Sequence, residues 1–134
     1  MIARIWHGYT TKENANAYTN LLKDEIFEGI ADKKMIGFRG IQLLNRELEK
    51  EIEFTTIMWF DNIENVKQFM GEDYEKAYVL PQAQKLLTRY DKVSAHCELL
   101  HELNMSRSNC SLFTLICKDQ LFLILKNRQP FKES

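Results

Sequence analysis

The segment from Glu51 to Tyr78 constrains this chain more than any other, because EIEFTTIMWF reads as a strand and DNIENVKQFMGEDYEKAY, directly after it, as helix. β-Branched and aromatic side chains suit a pleated, half-buried surface. Beyond Asp61 the period changes: Ile63, Val66, Phe69 and Met70 recur at the spacing of one helical face, and Gly71 interrupts it. Asp61 followed by Glu64 has the form of a capping box, so Asp61 is the expected N-cap. Glu72 to Leu80 and Gln82 to Leu87 read as further helical pieces joined at Pro81, a first-turn position where a missing amide does no harm.

The flanks follow the same logic. Ile2 to Tyr9 is strand-like, Thr10 and Glu13 repeat the capping pattern, and a helix starting near Thr11 carries Tyr18, Leu21, Leu22, Ile26 and Ile30 on one stripe. Gly37 and Gly40 bracket the entry to a strand over Phe38 to Glu47, and Leu48-Glu49-Lys50 turns it into the strand from Glu51 to Phe60. A last strand is expected from Asp91 to Leu100. The order is β-α-β-β-α-β, an α+β chain of the ferredoxin-like type, with helices on one face of an antiparallel sheet.

A chain of 134 residues is long enough for one core. Its 18 basic and 19 acidic residues are spread without long blocks of one sign, which leaves no electrostatic footprint for nucleic acid or an anionic membrane. Cys97, Cys110 and Cys117 form no C-x-x-C pair, and reduced thiols in the cytoplasm are the simplest expectation. His96 and Cys97 are neighbours on a strand and so face opposite ways, while His101 lies past the strand end, so no metal is expected. The start MIARIWHGYT lacks the basic-then-apolar pattern of a signal peptide. The apolar run from Leu112 to Leu125 is broken by Lys118, Asp119 and Gln120 and is shorter than the roughly 20 residues that span a bilayer.

Alternation along the strands is not cleanly apolar and polar. Ile2, Arg4 and Trp6 project one way and Ala3, Ile5, His7 and Tyr9 the other, and Ile57 and Trp59 oppose Met58 and Phe60. A single helical layer covers one face, so the other is expected to pair with a second copy.

The pieces IARIWHGYT, EIFEGI, GFRGIQLL, FTTIMWFDNIENVKQF and GEDYEKAYVLPQA resemble the antibiotic biosynthesis monooxygenase superfamily, over Met1 to about Leu100. The resemblance implies a homodimeric α/β barrel in which two sheets pack face to face and each subunit holds a pocket between sheet and helices. It implies a monooxygenase-type oxidoreductase but selects no substrate, since relatives include oxygenases of aromatic polyketides, quinol oxygenases, haem-degrading enzymes and isomerases. The haem-degrading branch has an asparagine on the first strand, a tryptophan in the second helical region and a histidine ligand after it. The corresponding positions here hold His7, Gln68 or Phe69, and Tyr78, which departs from that pattern.

A phenol or quinol needs an apolar cavity with a few placed polar groups, and a histidine, titrating near neutrality, can take the phenolic proton as a general base. His7 shares a strand face with Ile5 and Tyr9, and is the candidate base; Tyr78 is the candidate for orienting the substrate oxygen. Tyr9, Trp59, Phe69, Tyr74 and His96 are candidate substrate contacts, with Tyr74 and Tyr78 expected one helical turn apart. The substrate anion would react with dioxygen directly, as the cofactor-free relatives imply, with no metal or flavin. Each residue also has a plainer use: a scaffold hydrogen bond for His7 and His96, packing for the tyrosines, Trp6 and Trp59.

Two functions therefore compete: a cofactor-independent oxygenase of a small aromatic or quinol-type substrate, and a non-catalytic dimeric domain that binds a small ligand or serves in stress. A closed cavity shared by His7 and Tyr78 favours the first; scaffold hydrogen bonds at both favour the second. Residues 101–134 depart from the family pattern as an atypical extension. Asn104 to Asn109 is polar and loop-like, and SLFTLIC and LFLILK around Lys118-Asp119-Gln120 read as a hairpin, as one short apolar helix, or as a frameshifted end.

Overall fold

β1 (Ile2–Thr10) is the spine of the sheet, because it is paired along both edges. On one side it runs antiparallel to β3 (Ile52–Phe60), with Ile2 opposite Phe60 and Thr10 opposite Ile52. On the other it pairs with β4 (Leu87–Tyr90) and β5 (Ala95–Glu98). β2 (Phe38–Glu47) completes the sheet beside β3, and Leu48 N–H donates to the Glu51 carbonyl at 2.8 Å to close the hairpin turn. This computed structural model describes residues 1–105, of which Met1–Leu100 form one compact unit. The expectations for the apolar extension, and for Cys110 and Cys117, lie outside the described residues.

The helices cover one face of this sheet, as the ferredoxin-like order requires. α1 (Ala15–Leu21), a π-helical turn (Leu22–Ile26) and α2 (Phe27–Asp32) follow one another without a break. Tyr18, Leu22, Ile26 and Ile30, four residues apart, are all buried against Ile52, Phe54, Met58 and Phe60 of β3. Tyr18 meets Phe54 edge-on, with centroids 4.9 Å apart. α3 (Ile63–Met70) adds Val66 to the same core. Among the described residues no helix is long and apolar enough to cross a membrane.

Local capping differs from the expected pattern at both helix starts. Thr10 stays in β1, with its hydroxyl donated to the Leu86 carbonyl, and Asn14 N–H bonds back to Thr11, so the helix begins at Ala15 rather than Thr11. At α3 the cap is Asn62, whose Oδ1 accepts from Asn65 N–H at 3.0 Å. Asp61 is taken by Arg39 instead, which donates from Nε and Nη2 at 2.7 and 2.6 Å. Gly71, at φ 91°, ends the helix in a conformation that only glycine adopts cheaply.

The larger departure lies after α3. Residues 72–80 are not helical, α4 (Pro81–Gln84) is a single turn with Pro81 in its first position, and the last strand begins at Leu87, breaks after Tyr90 and resumes at Ala95. Backbone groups here find partners across the sheet rather than along a helix. Ala77 N–H donates to Lys92 C=O at 3.0 Å and Ser94 N–H to Glu75 C=O at 2.7 Å, while the carbonyls of Tyr74 and Lys76 accept from Arg4. Tyr74 and Tyr78 are therefore not stacked one helical turn apart.

Asn62→Ala, which removes the side-chain cap, is expected to lower stability by about 1 kcal/mol. Asp61→Ala disturbs only an exposed ion pair and should shift the urea midpoint far less. The reverse ranking would mean that Asp61 holds the helix start.

Candidate functional site

The period of two along β1 divides the chemistry of this protein between two sides of the sheet. Arg4, Trp6 and Gly8 face the helices; Ile5, His7 and Tyr9 face the open side, opposite Ile57, Thr55 and Glu53 of β3. Between sheet and helices lies a cavity of ≈ 50 Å³. Leu22 and Ile26 of the π-helical turn, with Tyr18, Phe27 and Ile30, form one wall; Trp6, Ile41 and Met58 form the floor; Tyr78, Val79, Leu80 and Ala83 close the third side. π-Helical turns recur at functional sites, and this one widens the helix where it meets the cavity.

Trp6 reaches this floor because of Gly8. A Cβ on Gly8 would sit 2.6 Å from the indole ring, so the ring can lie across β1 only over a glycine. Its N–H donates to the Asp91 carbonyl at 2.8 Å. The polar members of the wall are Arg4, Thr56, Tyr78 and Ser94.

Arg4 is 3% exposed. Nη1 donates to Tyr74 C=O at 2.6 Å and to His96 Nε2 at 2.9 Å, and Nη2 donates to Lys76 C=O at 2.7 Å. Among the described residues no carboxylate forms an ion pair with it. Burial alone lowers its pKa to about 10, which still leaves it charged at neutral pH. Since arginine can only donate, His96 accepts at Nε2, and the proton of the neutral ring is assigned to Nδ1. Burial first, and the charge of Arg4 second, hold His96 below its ordinary pKa against a weaker opposing pull from Glu75. Its ring meets Tyr74 edge-on at 5.2 Å.

The open side is organised differently. His7 Nδ1 lies 2.9 Å from Asp91 Oδ2, which also accepts from His7 N–H at 3.2 Å, and Asp91 N–H returns a bond to His7 C=O at 2.9 Å. Tyr9 donates its hydroxyl to Glu53 at 3.0 Å, which raises the phenol pKa and lowers that of the carboxylate. Arg89 stands 3.7 Å over the Tyr9 ring. Trp59 donates from Nε1 to Gln42 Oε1 at 2.9 Å on the same side.

The expected catalytic pair is not formed, because His7 and Tyr78 lie on opposite faces of the sheet. Tyr9 and Trp59 are likewise on the open side. Phe69 stands behind the cavity, 5.0 Å from Tyr78 and 6.2 Å from Phe60 between ring centroids. Tyr74 and His96 meet each other and Arg4 beyond the wall. Of the seven candidates, Tyr78 alone lines the cavity. Two residues that sequence reasoning passed over, Arg4 and Ser94, do line it. Arg4 carried a signal, since a charge flanked two positions away by Ile2 and Trp6 on an apolar strand face calls for a buried partner. Ser94 carried none. Among the described residues no group of three His, Cys, Asp or Glu is placed to hold a metal ion.

No protein-family model matches the chain, and no curated protein matches it significantly. Among solved structures it is similar to the crystal structure of a Bacillus cereus protein named as a "putative antibiotic biosynthesis monooxygenase", with a TM-score of 0.56 and 12% identity, over 77% of this chain and 96% of that one. A likeness at that identity shows the shared fold.

The His96 arrangement sets a pH dependence. Above the ordinary value of 6.5 the ring is neutral in folded and unfolded chains and stability is fully present. Below it the unfolded chain binds a proton that the folded chain refuses, so stability falls as pH drops through the depressed folded pKa. Urea midpoints between about pH 5 and 8 should therefore fall more steeply with acidification in the native protein than in His96→Gln, which keeps an acceptor for Arg4. Parallel curves would mean that His96 is not held neutral.

Proposed function

We propose that this protein is a monooxygenase-type enzyme that takes a small aromatic or quinol-type substrate into the cavity between sheet and helices, without a bound cofactor. The cavity carries this reading: it is walled by aromatic and aliphatic side chains and holds few polar groups, the combination that orients a flat, mostly apolar ligand. The fold it shares with a protein named as a monooxygenase agrees with it. A volume of ≈ 50 Å³ is about a third of the roughly 150 Å³ cavity that holds benzene, so even a single ring has to displace the cavity walls, and a fused polycycle is excluded.

The chemistry needs no external reductant when the substrate is a hydroquinone. The ring supplies both electron pairs: one oxygen atom of dioxygen enters a ring carbon, the other leaves as water, and the product is a hydroxyquinone. Tyr78 would hold the substrate oxygen through its hydroxyl. Among the described residues no histidine lines the cavity, so His7 is not proposed as the base. The bonding of His7 to Asp91 is the observation that favours the alternative, a non-catalytic binder of the same ligand.

An oxygen electrode run on hydroquinones, naphthols and anthrones tests this. Uptake is expected with single-ring quinols, to fall by about a hundredfold in Tyr78→Phe if that hydroxyl holds the developing charge, and to be unchanged in His7→Ala. Saturable binding without oxygen uptake by any compound would move the assignment to the binder.

The open sheet face is proposed to pair with a second copy. Ile5, Ile57, Trp59 and Leu44, the last 49% exposed, make an apolar patch at one end. Tyr9, Glu53, Arg46, Arg89 and Glu51 form an ion-pair network at the other. A sheet-on-sheet contact should bury more than about 1,000 Å². Sedimentation equilibrium at micromolar concentration is expected to give a dimer, and a folded monomer would sink the barrel.

A further inference from the structure

We infer that the cavity contains an oxyanion subsite built by Arg4 and Ser94, and that its ligand is a small aromatic molecule bearing one negative oxygen, a carboxylate or an ionised phenol. The inference rests on the cavity being a small-molecule site and names the class of molecule that fits it.

Arg4 and Ser94 are each 3% exposed and line the same cavity. Charge buried without a counter-charge is among the most costly arrangements a protein can hold. The three acceptors that Arg4 has, the carbonyls of Tyr74 and Lys76 and the Nε2 of His96, are all neutral, so they solvate the guanidinium without neutralising it. Those contacts use Nη1 twice and Nη2 once. A guanidinium has five N–H donors, and Nε takes no part in the three. Ser94 is the second, independent observation: its Oγ is buried and has no hydrogen-bond partner among the described residues.

A purely structural arginine accounts for the carbonyls of Tyr74 and Lys76 but not for the orphaned hydroxyl of Ser94 in the same cavity wall. An anionic oxygen accounts for both. It would supply the missing charge to Arg4 and accept from Ser94, in a medium of low polarity where charge-assisted hydrogen bonds are strong. Among the described residues Arg4 is the one cation of the cavity wall, which suits a monoanion and disfavours a phosphate dianion. The rings of Trp6, Tyr18, Phe27 and Tyr78 around it suit an aromatic body.

Titration calorimetry of the intact protein with matched probes decides the matter: benzoate against benzamide, para-nitrophenolate against para-nitroanisole, and toluene as a ring without a polar group. Each ionised probe is expected to bind about tenfold or more tighter than its neutral counterpart. The carboxylate and phenolate pairs show which anion is preferred. Ser94→Ala should weaken the anions several-fold and leave toluene unchanged. Arg4→Met should abolish the preference, and if that variant does not fold, the native protein and Ser94→Ala still give the answer. Toluene binding with no preference for anions would overturn the subsite and leave the cavity reading intact. Failure of every aromatic probe to bind would overturn both.

Discussion

The guanidinium of Arg4 determines how one whole edge of this molecule is built. Its donors engage the carbonyls of Tyr74 and Lys76, which in a helix would have accepted from amides four residues further along. With those groups turned toward β1, the segment after α3 runs extended, and its other backbone groups, Glu75 C=O and Ala77 N–H, pair with Ser94 and Lys92. That pairing carries Tyr78, Val79 and Leu80 to the cavity and seats Ser94 in its wall. The form of the chain after α3 and the polar lining of the cavity thus meet at Arg4.

The sheet imposes a second constraint through its alternation. Residues next to each other on β1 serve separate sides, so Arg4 and Trp6 belong to the interior while Ile5 and His7 belong to the open face. This is why a histidine and a tyrosine that suit one chemistry in a list of residues do not meet in space. The interior combines apolar walls with the buried charge of Arg4; the open face combines an apolar patch with exposed ion pairs, whose contribution in water is small.

Aromatic packing ties the helical layer to the sheet. Tyr18 against Phe54 anchors the first helix, and the row Phe38, Phe60, Phe69 and Tyr78 links β2, β3 and α3 to the cavity. The fold therefore reaches the cavity through contacts made by large rings, which bury much area with few rotatable bonds. Gly8 contributes by omission, since the space its missing side chain leaves is where the indole of Trp6 lies.

The sequence by itself determined the order of elements, the β2–β3 hairpin, the buried stripe of Tyr18, Leu22, Ile26 and Ile30, and the parity of β1 and β3. These are legible because alternation and helical spacing are set by neighbours a few residues apart. Tertiary structure alone decided that Asn62 rather than Asp61 caps α3, that residues 72–80 run extended, and that Arg4 and Ser94 share a cavity from which His7 is excluded. The physical reason is distance along the chain: Asp61 is claimed by Arg39, 22 residues away, and the acceptors of Arg4 lie 70, 72 and 92 residues from it. Helical spacing in GEDYEKAYVL is a local preference, and a buried charge that must find acceptors outweighs it.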